Sequence, residues 1–434
     1  MSMVMLRVAG QAWDTRPRSD NGSAMKTAPV PHAHPLSHLH ATTRWLLLAA
    51  GVALLTGSAS ALFLLALDWA TATRRDWPWL LAGLPLAGFA VGWVYLRLGG
   101  RAEGGNNLVL DEINDPSHPL PLRMAPLVLS ATVISHLCGA SVGREGTAVQ
   151  MGGALADQIA RALRLAREDR PALLMCGIAA GFGSVFGTPL AGTVFALEVL
   201  AIGRLRHAAL LPCLLAAVLA DRVTLLWGAT HAHYAVAPFA TLSLPALAAL
   251  LLAGALFGLT ARLFAHSSRA LSGWLARRIT RAPLRPLLGG GVIAALAWAT
   301  GAERYLGLGL PVIAQAFEQP LPAWDFAAKL AFTVASIGSG FKGGEVTPLF
   351  FVGATLGNAL APLLQLPIDL LAAVGLVAVF AGAANTPLAC TLMAVELFGG
   401  ALALPAAIAC AASYLCSGPV GIYRAQRPEA GEQT

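Results

Sequence analysis

Apolar residues run along most of the chain in long stretches that are broken by glycine and proline. Several of these stretches approach or exceed the roughly 20 residues with which an α-helix crosses a bilayer. They cover residues 45–73, 79–98, 207–227, 242–264 and 286–299. The stretches do not alternate apolar and polar positions with period two, as a membrane β-barrel would require. The pattern therefore predicts an all-α polytopic membrane protein.

The composition supports this prediction and sets apart the two ends of the chain. Hydrophobic residues make up 56% of the 434 residues and charged residues only 12%, too few to cover a soluble protein of this length. Residues 1–40 are rich in Pro, His, Ser and Arg without periodicity, which predicts a disordered tail. Residues 425–434 are expected to form a short second tail. Basic residues near both ends, including Arg44 and Arg424, predict that both termini are cytoplasmic.

The sequence predicts neither a metal site nor a cofactor. Its six cysteines lie singly in apolar stretches, without the spacing of metal ligands, and this favours a packing role. The net charge of +7 is not interleaved with aromatic residues as in nucleic-acid-binding segments. The expected partner of so apolar a surface is the lipid bilayer, and no nucleic acid is expected.

An internal repeat is the strongest pattern in the chain. Thr-Pro-Leu-Ala at 188–191 recurs at 386–389, and Glu198 then matches Glu396 at the same offset of 198. Both acids follow their apolar helices with the same spacing. A structural role is therefore the expectation for both glutamates.

A second motif repeats in the same order. Gly-Arg-Glu-Gly-Thr at 143–147 has a counterpart, Gly-Gly-Glu-Val-Thr, at 343–347. At this offset of 200, Glu145 matches Glu345. Two motifs at nearly one offset predict that the two halves of the chain are related.

The predicted membrane domain covers residues 41–424, with repeat halves at about 45–235 and 236–424. Segments such as 147–163 and 347–364 are too short or too interrupted to be ordinary spans. Paired interrupted segments in two halves are typical of transporters that bind their substrate near the bilayer midplane. Non-helical backbone at that depth is tolerated only where it lines a cavity or is covered by protein.

Each of the two glycine-rich motifs is predicted to open a short helix. The first N–H groups of a helix lack internal partners and carry the positive end of its dipole. Glycine allows a close approach to these groups, so converging helix N-termini can bind an anion. The Glu145 carboxylate would then be a tethered competitor that occupies the anion site when ionised and leaves it when protonated.

Structural explanations compete with these functional ones. Glu145 could simply pair with the adjacent Arg144, and Glu345 with the nearby Lys342. Ionisable groups that are retained inside a membrane are costly, however, and are functional by default. The repeat strengthens the functional hypothesis for both glutamates.

Two further candidates also have ordinary explanations. Asn106 and Asn107 lie in Glu-Gly-Gly-Asn-Asn-Leu and could belong to a plain surface turn. Tyr423, near the end of the apolar sequence, could be an interfacial aromatic residue.

A hydrolase is the alternative from another class of protein. Gly-Ala-Ser-Val-Gly at 139–143 matches the nucleophile-elbow pattern Gly-x-Ser-x-Gly, and His136 lies close by. The elbow needs a β-strand before Ser141, whereas no residues here alternate with period two. An intramembrane serine hydrolase would lose its function in Ser141→Ala and keep it in Glu145→Gln.

The motifs together resemble those of the CLC family of anion channels and anion/proton antiporters. The resemblance rests on Gly-Arg-Glu-Gly-Thr, on the later AAGFGSVFGTPLAG segment with its glutamate, and on the Gly-Gly-x-x-Thr-Pro loop, and it covers about residues 45–425. It implies a CLC-type fold, in which broken and full-length helices form two inverted repeats, and a homodimer with one pore per subunit. It also implies that Glu145 is the gate and the external proton acceptor.

Four departures from the chloride-transporting pattern point to the fluoride-transporting branch of the family. The chain has Gly-Asn-Asn-Leu-Val at 105–109, Thr147 after Gly-Arg-Glu-Gly, Val346 in Gly-Glu-Val-Thr-Pro, and Val199 where chloride antiporters carry an inner acid. The resemblance to the fluoride branch implies proton coupling with Glu345 as a second acid.

The site implied by the resemblance is rich in hydrogen-bond donors. Fluoride is small and strongly hydrated, so backbone N–H groups, Asn amides and a Thr hydroxyl are suitable replacements for its water. The candidate anion-binding residues are Asn106, Asn107, Gly143, Arg144, Gly146, Thr147, Val346, Thr347 and Tyr423.

The sequence as a whole predicts a secondary transporter and not an enzyme. The expected function is fluoride/proton antiport that exports fluoride across the inner membrane of the cell, with fluoride and protons as the transported partners. A chloride or other anion transporter of the same fold, a passive anion channel and the serine hydrolase are the alternatives.

Overall fold

The computed structural model describes residues 35–202, 207–232, 234–237 and 243–427, and in these ranges the protein is helical without a β-strand. Short 3₁₀ and π turns connect several of the α-helices. The α-helices, numbered α1 to α16 in chain order, are Pro35–Asp76, Leu84–Val94, Gly105–Asn114, Met124–Leu137, Glu145–Ala162, Arg170–Phe186, Pro189–Glu198, Leu210–Leu226, Leu244–Arg278, Leu284–Thr300, Leu310–Glu318, Asp325–Ser339, Val346–Leu364, Ile368–Ala384, Pro387–Phe398 and Ala403–Ser417.

The helices have very different lengths. Within the described residues, five helical segments are long and apolar enough to cross a membrane: Thr42–Asp76, Pro78–Asn114, Leu244–Arg278, Val346–Leu364 and Gly400–Ser417. Other apolar helices are much shorter, and α7 has only 10 residues. The prediction of an all-α polytopic membrane protein with full-length and broken helices is confirmed.

The chain ends differ from the predicted tails. Residues 1–34 and 428–434 lie outside the described residues, but α1 already begins at Pro35, within the predicted tail 1–40. At the other end, the Ala425 N–H donates to Asn107 Oδ1 at 3.1 Å, and Arg427 forms an isolated bridge with Ala201. The first residues of the predicted C-terminal tail are therefore part of the packed structure.

Corresponding helices have corresponding neighbours in the two halves. Helix α5 packs on α6 as α13 packs on α14, and α1 packs on α8 as α9 packs on α16. Glycines make the first of these contacts close. A Cβ atom at Gly177 would lie 2.3 Å from the Gly152 carbonyl oxygen, and one at Gly375 would lie 2.2 Å from that of Gly353. Larger residues at these positions would force the helices apart.

These glycine contacts correct the register of the sequence repeat. Gly152, and not Gly153, is the equivalent of Gly353, which gives an offset of 201 and not 200. The starts of α5 and α13, at Glu145 and Val346, differ by the same 201 positions. The match of Glu145 with Glu345 is thus wrong by one residue, and Glu345 is the structural equivalent of the residue before Glu145.

Helices α7 and α15 exchange carboxylates. Glu198, at the end of α7, accepts hydrogen bonds from the N–H groups of Leu388 and Ala389 at 3.0 and 2.9 Å, in the first turn of α15. Glu396, near the end of α15, accepts the equivalent pair from the first turn of α7, both at 2.8 Å. The two helices therefore lie antiparallel, and each glutamate caps the N-terminus of the other helix, where a negative charge is stabilising.

Candidate anion-binding site

The glycine loops before α5 and α13 meet directly. The Gly143 N–H donates to the Gly344 carbonyl oxygen at 2.6 Å, and the Gly344 N–H donates to that of Gly143 at 2.7 Å. Both helices begin within two residues of this pair of hydrogen bonds. The structure thus brings together the N-termini of one helix from each half, and α13 is long enough to span the membrane, which the sequence pattern of residues 347–364 did not predict.

The Glu145 carboxylate reaches across this contact to α13. Its Oε2 accepts hydrogen bonds from the Thr347 N–H at 3.1 Å and the Arg144 N–H at 3.0 Å, and its Oε1 accepts one from the Thr347 hydroxyl. The Glu145 side chain is completely buried. A negatively charged oxygen therefore occupies the N-terminus of a helix in the interior of the protein, where the dipole and the free amides favour an anion.

Arg144 contributes mainly through its backbone. Its Nε lies 3.6 Å from Glu145 Oε1, beyond hydrogen-bond distance, and this nitrogen has no hydrogen-bond partner among the described residues. Glu145 is thus held more closely by Thr347 than by the Arg144 guanidinium. Arg144 and Thr347 also line a narrow cavity of about 20 Å³, with Phe186 and Tyr234 among its walls. This cavity therefore lies beside two of the residues that contact Glu145.

The start of α5 lies tightly against the loop of the other half. A Cβ atom at Gly344 would lie 2.8 Å from the Gly146 nitrogen, 3.0 Å from that of Glu145 and 3.2 Å from that of Arg144. A Cβ atom at Gly143 would lie 2.9 Å from Glu145 Oε2. Glycine is required at both positions because the backbones and the carboxylate approach too closely for any side chain.

The two asparagines of the predicted turn have different surroundings. Asn106 lies against the start of α5: a Cβ atom at Gly146 would be 2.9 Å from Asn106 Nδ2. The buried Asn106 Oδ1 has no hydrogen-bond partner among the described residues. Asn107 Oδ1, in contrast, accepts a hydrogen bond from the Ala425 N–H. It thereby holds residues 418–427, which follow α16 and are called here the C-terminal segment. Asn106 is therefore the asparagine that the fold places at the two helix N-termini.

Tyr423 is buried on the C-terminal segment and is not exposed at a membrane interface. Its ring centroid lies 6.2 Å from that of Phe195, and the negative charges of Glu145 and Glu345 both act on its phenol. The Ile422 N–H donates to the Ala383 carbonyl oxygen at 2.8 Å and fixes this part of the segment. The structure thus brings Tyr423 close to both candidate acids.

Thr147 and Val346 differ in what they offer to an anion. The Thr147 hydroxyl is hydrogen-bonded to the Thr132 hydroxyl on α4 at 2.7 Å. Thr147 was predicted to be an anion-binding residue, and its hydroxyl has Thr132 on α4 as its partner. Val346 is the first residue of α13, and its side chain is buried.

Glu345 directly precedes α13. Its carboxylate is only partly covered, and no described residue forms a hydrogen bond or an ion pair within 4 Å of it. The charges that act on Glu345 are those of Arg269 and Arg424. Lys342 is not its partner, because the Lys342 ammonium lies over the Tyr95 ring, 4.2 Å from the ring centroid. The alternative of a Glu345–Lys342 salt bridge is thus wrong.

The serine-hydrolase alternative fails on geometry. The Ser141 hydroxyl is hydrogen-bonded to Thr333 Oγ1 at 2.9 Å, and His136 Nδ1 to the Thr132 carbonyl oxygen at 2.8 Å. The described residues contain no β-strand before Ser141 and no serine–histidine pair at this place. A nucleophile elbow is therefore absent from this part of the chain.

The fold defines a polytopic helical membrane protein. Its two halves bring together two helix N-termini and the buried side chains of Glu145 and Tyr423. The sequence model described as "Voltage gated chloride channel" matches residues 86–418. This protein belongs to that family, the CLC family, and the resemblance seen in its motifs is confirmed.

Individual relatives agree with the family match. The chain is 59% identical over 390 residues to a "Chloride/fluoride channel protein" of Pseudomonas syringae pv. tomato, covering 88% of this chain and 86% of the relative. It is 30% identical to a "Putative chloride channel protein ClcB-like" of Ralstonia nicotianae, covering 81% of this chain and 85% of the relative.

Solved structures show the same fold. The crystal structure of a CLC-type fluoride/proton antiporter is 36% identical with a TM-score of 0.87, covering 89% of this chain and 98% of that chain. The structure of a slow cyanobacterial Cl⁻/H⁺ antiporter has a TM-score of 0.77 over 88% of this chain and 96% of that chain. Because it is only 21% identical, it supports the fold alone.

Proposed function

We propose that this protein is a fluoride/proton antiporter that exports fluoride, with Glu145 as its gate. One observation carries the proposal: the buried Glu145 carboxylate occupies the N-terminus of α13 through the Thr347 N–H and hydroxyl groups. The same donors suit a small anion. The solved antiporter that resembles this chain over most of its length is a fluoride/proton antiporter, which agrees with the proposal.

The mechanism follows from a competition for these donors. Ionised Glu145 accepts the hydrogen bonds and closes the site. Once protonated, it loses its charge and its advantage at the helix dipole, so a fluoride ion replaces it at the Thr347 donors. When the proton leaves on the other side of the membrane, the carboxylate returns to the Thr347 donors. It thereby expels the anion toward the side from which the proton came. Each cycle thereby moves a proton in one direction and fluoride in the other.

Fluoride selectivity rests on the number of donors that the site offers. Thr347 provides an N–H and a hydroxyl, and Asn106 lies against the start of α5 with an amide group. Hydrogen bonds to a compact anion are short and strong, and they replace the hydration that fluoride gives up. The remaining donors are the first backbone N–H groups of α5 and α13.

We assign Glu345 as a second acid that exchanges protons on the side of Tyr423. Its partly covered carboxylate lacks a direct hydrogen bond among the described residues, and the phenol of Tyr423 experiences the charges of both glutamates. A proton on Glu345 would therefore lie close to Tyr423 and to the Glu145 gate.

The proposed orientation places both termini in the cytoplasm and the protein in the inner membrane. Arginines concentrate at the end of α5, the start of α6 and the end of α9, and cytoplasmic loops favour basic residues. Helices α7 and α15 expose Leu190 and Leu388. We propose that this apolar surface belongs to a homodimer interface, as the family resemblance implies.

Flux from proteoliposomes tests this function directly. Vesicles loaded with fluoride or with chloride should release fluoride much faster, and their internal pH should fall as protons enter against the fluoride efflux. Equal release of chloride would leave only a general anion transporter. Fluoride release without proton uptake, measured under valinomycin clamp, would indicate a channel.

A further inference from the structure

We propose that Arg269 and Arg424, here called the arginine pair, capture the small anion before it reaches the Glu145 site. The protonation of Glu345 sets the net charge of the cluster that this glutamate forms with the arginine pair. This inference rests on the proposed function, because it assigns the place where the transported anion first binds. Neither arginine belongs to a repeated motif, and they come from distant parts of the chain, α9 and the C-terminal segment.

Arg269 is fixed to the segment that carries Tyr423. Its Nη2 donates a hydrogen bond to the Gly421 carbonyl oxygen, two residues before Tyr423. Its buried Nε has no hydrogen-bond partner among the described residues. The guanidinium therefore retains donor capacity for another acceptor, and arginine cannot lose its charge to relieve this situation.

Arg424 directly follows the buried Tyr423 and is itself exposed. The described residues form no ion pair within 4 Å with either member of the arginine pair. The two positive charges act on each other and on the single Glu345 carboxylate. One carboxylate cannot neutralise two guanidinium groups. The cluster of Glu345 and the arginine pair therefore has an excess of positive charge, and it lies beside Tyr423.

The charge of this place depends on Glu345. The charged and titratable groups that face Glu345 are Arg269 from α9 and Arg424 and Tyr423 from the C-terminal segment. With Glu345 ionised, the cluster has a net charge of about +1, and with Glu345 protonated it approaches +2. A proton on Glu345 therefore strengthens the attraction of the arginine pair for an incoming anion.

Arg424→Gln gives the cleaner test, because the exposed side chain makes no described hydrogen bond. At low ionic strength, the fluoride concentration for half-maximal efflux from liposomes should rise about two- to fivefold, with an unchanged maximal rate. Near 0.5 M of an impermeant salt, where the Debye length is roughly 4 Å, the difference should disappear. Arg262→Gln, an exposed arginine two turns earlier on α9, is the matched control and should change nothing.

Arg269 separates charge from anchoring. Arg269→Lys keeps the charge and should retain the parental half-saturation, whereas Arg269→Gln should raise it as Arg424→Gln does. A loss that is equal at all ionic strengths in both Gln variants would overturn capture and leave only a structural role. Parental half-saturation in both Gln variants at low ionic strength would overturn it as well.

The role of Glu345 is tested by pH. In the parental protein, half-saturating fluoride should decrease as the pH falls, and this dependence should become weaker in Glu345→Gln, in which the arginine pair keeps its full charge and only the Glu145 gate still responds to pH. An unchanged pH dependence in that variant would contradict the charge control. If the parental protein moves chloride in place of fluoride, the measurements are made with chloride, so that failure of the selectivity proposal and failure of anion capture remain distinct.

Discussion

Helices from the two halves meet at several places, and two of these contacts, α7 with α15 and α5 with α13, differ in symmetry. At α7 and α15 the exchange is reciprocal, because Glu198 and Glu396 each cap the other helix with two backbone hydrogen bonds. At α5 and α13, among the residues that the structure describes, Glu145 reaches from α5 to the Thr347 donors of α13, and no carboxylate accepts the amides of α5 in return. The reciprocal contact is closed on both sides, whereas the one-sided contact leaves donors for an exchangeable anion.

The register of the repeat explains this difference. Val346 takes the place in α13 that Glu145 has in α5, because the helices correspond at an offset of 201. Glu345 lies one residue earlier, before the first turn, and the charges of the arginine pair act on it. Because Glu345 lies one position before the equivalent of Glu145, it does not cap α5 and has different neighbours.

The largest effect on transport is expected from removal of the Glu145 carboxylate, which reaches from α5 to α13. Glu145→Gln has nearly the same size but cannot titrate, so proton movement driven by a fluoride gradient should fall to the level of protein-free vesicles. Fluoride itself either leaks through passively or stops, depending on whether the neutral side chain leaves the Thr347 donors. Internal pH and fluoride release are recorded together in liposomes.

Glu318→Gln is the control for this change, since Glu318 is an exposed glutamate at the end of α11. It should retain parental proton uptake. If Glu145→Gln also retained it, Glu145 would not carry the proton and would serve only to hold the two helices together.

A methyl group at the one-sided contact should have the next largest effect. In Gly344→Ala the new Cβ would lie within 3.2 Å of three successive nitrogens of α5, so the two helix N-termini must separate. A displacement of about 1 Å in a site of this kind lowers rates by roughly a hundredfold. The initial rate of fluoride efflux measures the loss.

Gly291→Ala, in α10, is the matched control because a Cβ atom there would contact nothing within 4 Å. Its efflux should equal that of the parental protein. Parental efflux in Gly344→Ala would mean that the close contact of the loops is not needed for transport.

Much of this architecture could be predicted from the sequence, and the part that could not has physical reasons. Apolar length and broken segments predicted the helices, and glycines around an acid predicted that Glu145 opens α5. The repeat predicted that two such loops belong together. These inferences depend on local pattern, which hydrophobic burial and backbone hydrogen bonding follow closely.

Register and long-range contacts were beyond local pattern. The sequence motifs aligned Glu345 with Glu145 at an offset of 200. The packing of Gly152 on Gly177, which gives the offset of 201 between the halves, is visible only in three dimensions. The hydrogen bond between the hydroxyls of Thr147 and Thr132 joins two different helices, and no local pattern indicates it. Arg269 was missed entirely, since no motif surrounds it.

An intermediate effect on transport is expected at Glu345, the acid that does not reach from one helix N-terminus to the other. Glu345→Gln should lower the rate of coupled transport by about tenfold, because a group that exchanges protons is lost while the Glu145 gate remains. The number of protons moved per fluoride is measured from paired pH and fluoride recordings. Lys342→Gln should keep the parental ratio, because Lys342 contacts Tyr95. A parental rate and ratio in Glu345→Gln would assign this glutamate a structural role.

The smallest effect on transport is expected at the reciprocal contact. Glu198→Gln and Glu396→Gln each replace one accepting oxygen by a donor that faces a backbone N–H, and each should destabilise the fold by about 1–3 kcal/mol. Thermal unfolding in detergent should therefore begin earlier, while protons per fluoride stay unchanged. Because both residues join the same two helices, the double variant should lose less than the sum of the single losses. Glu103→Gln, outside this contact, controls for the loss of an acid. An altered proton ratio in either single variant would place that glutamate on the proton path, and the symmetric contact would then share the function of the one-sided contact.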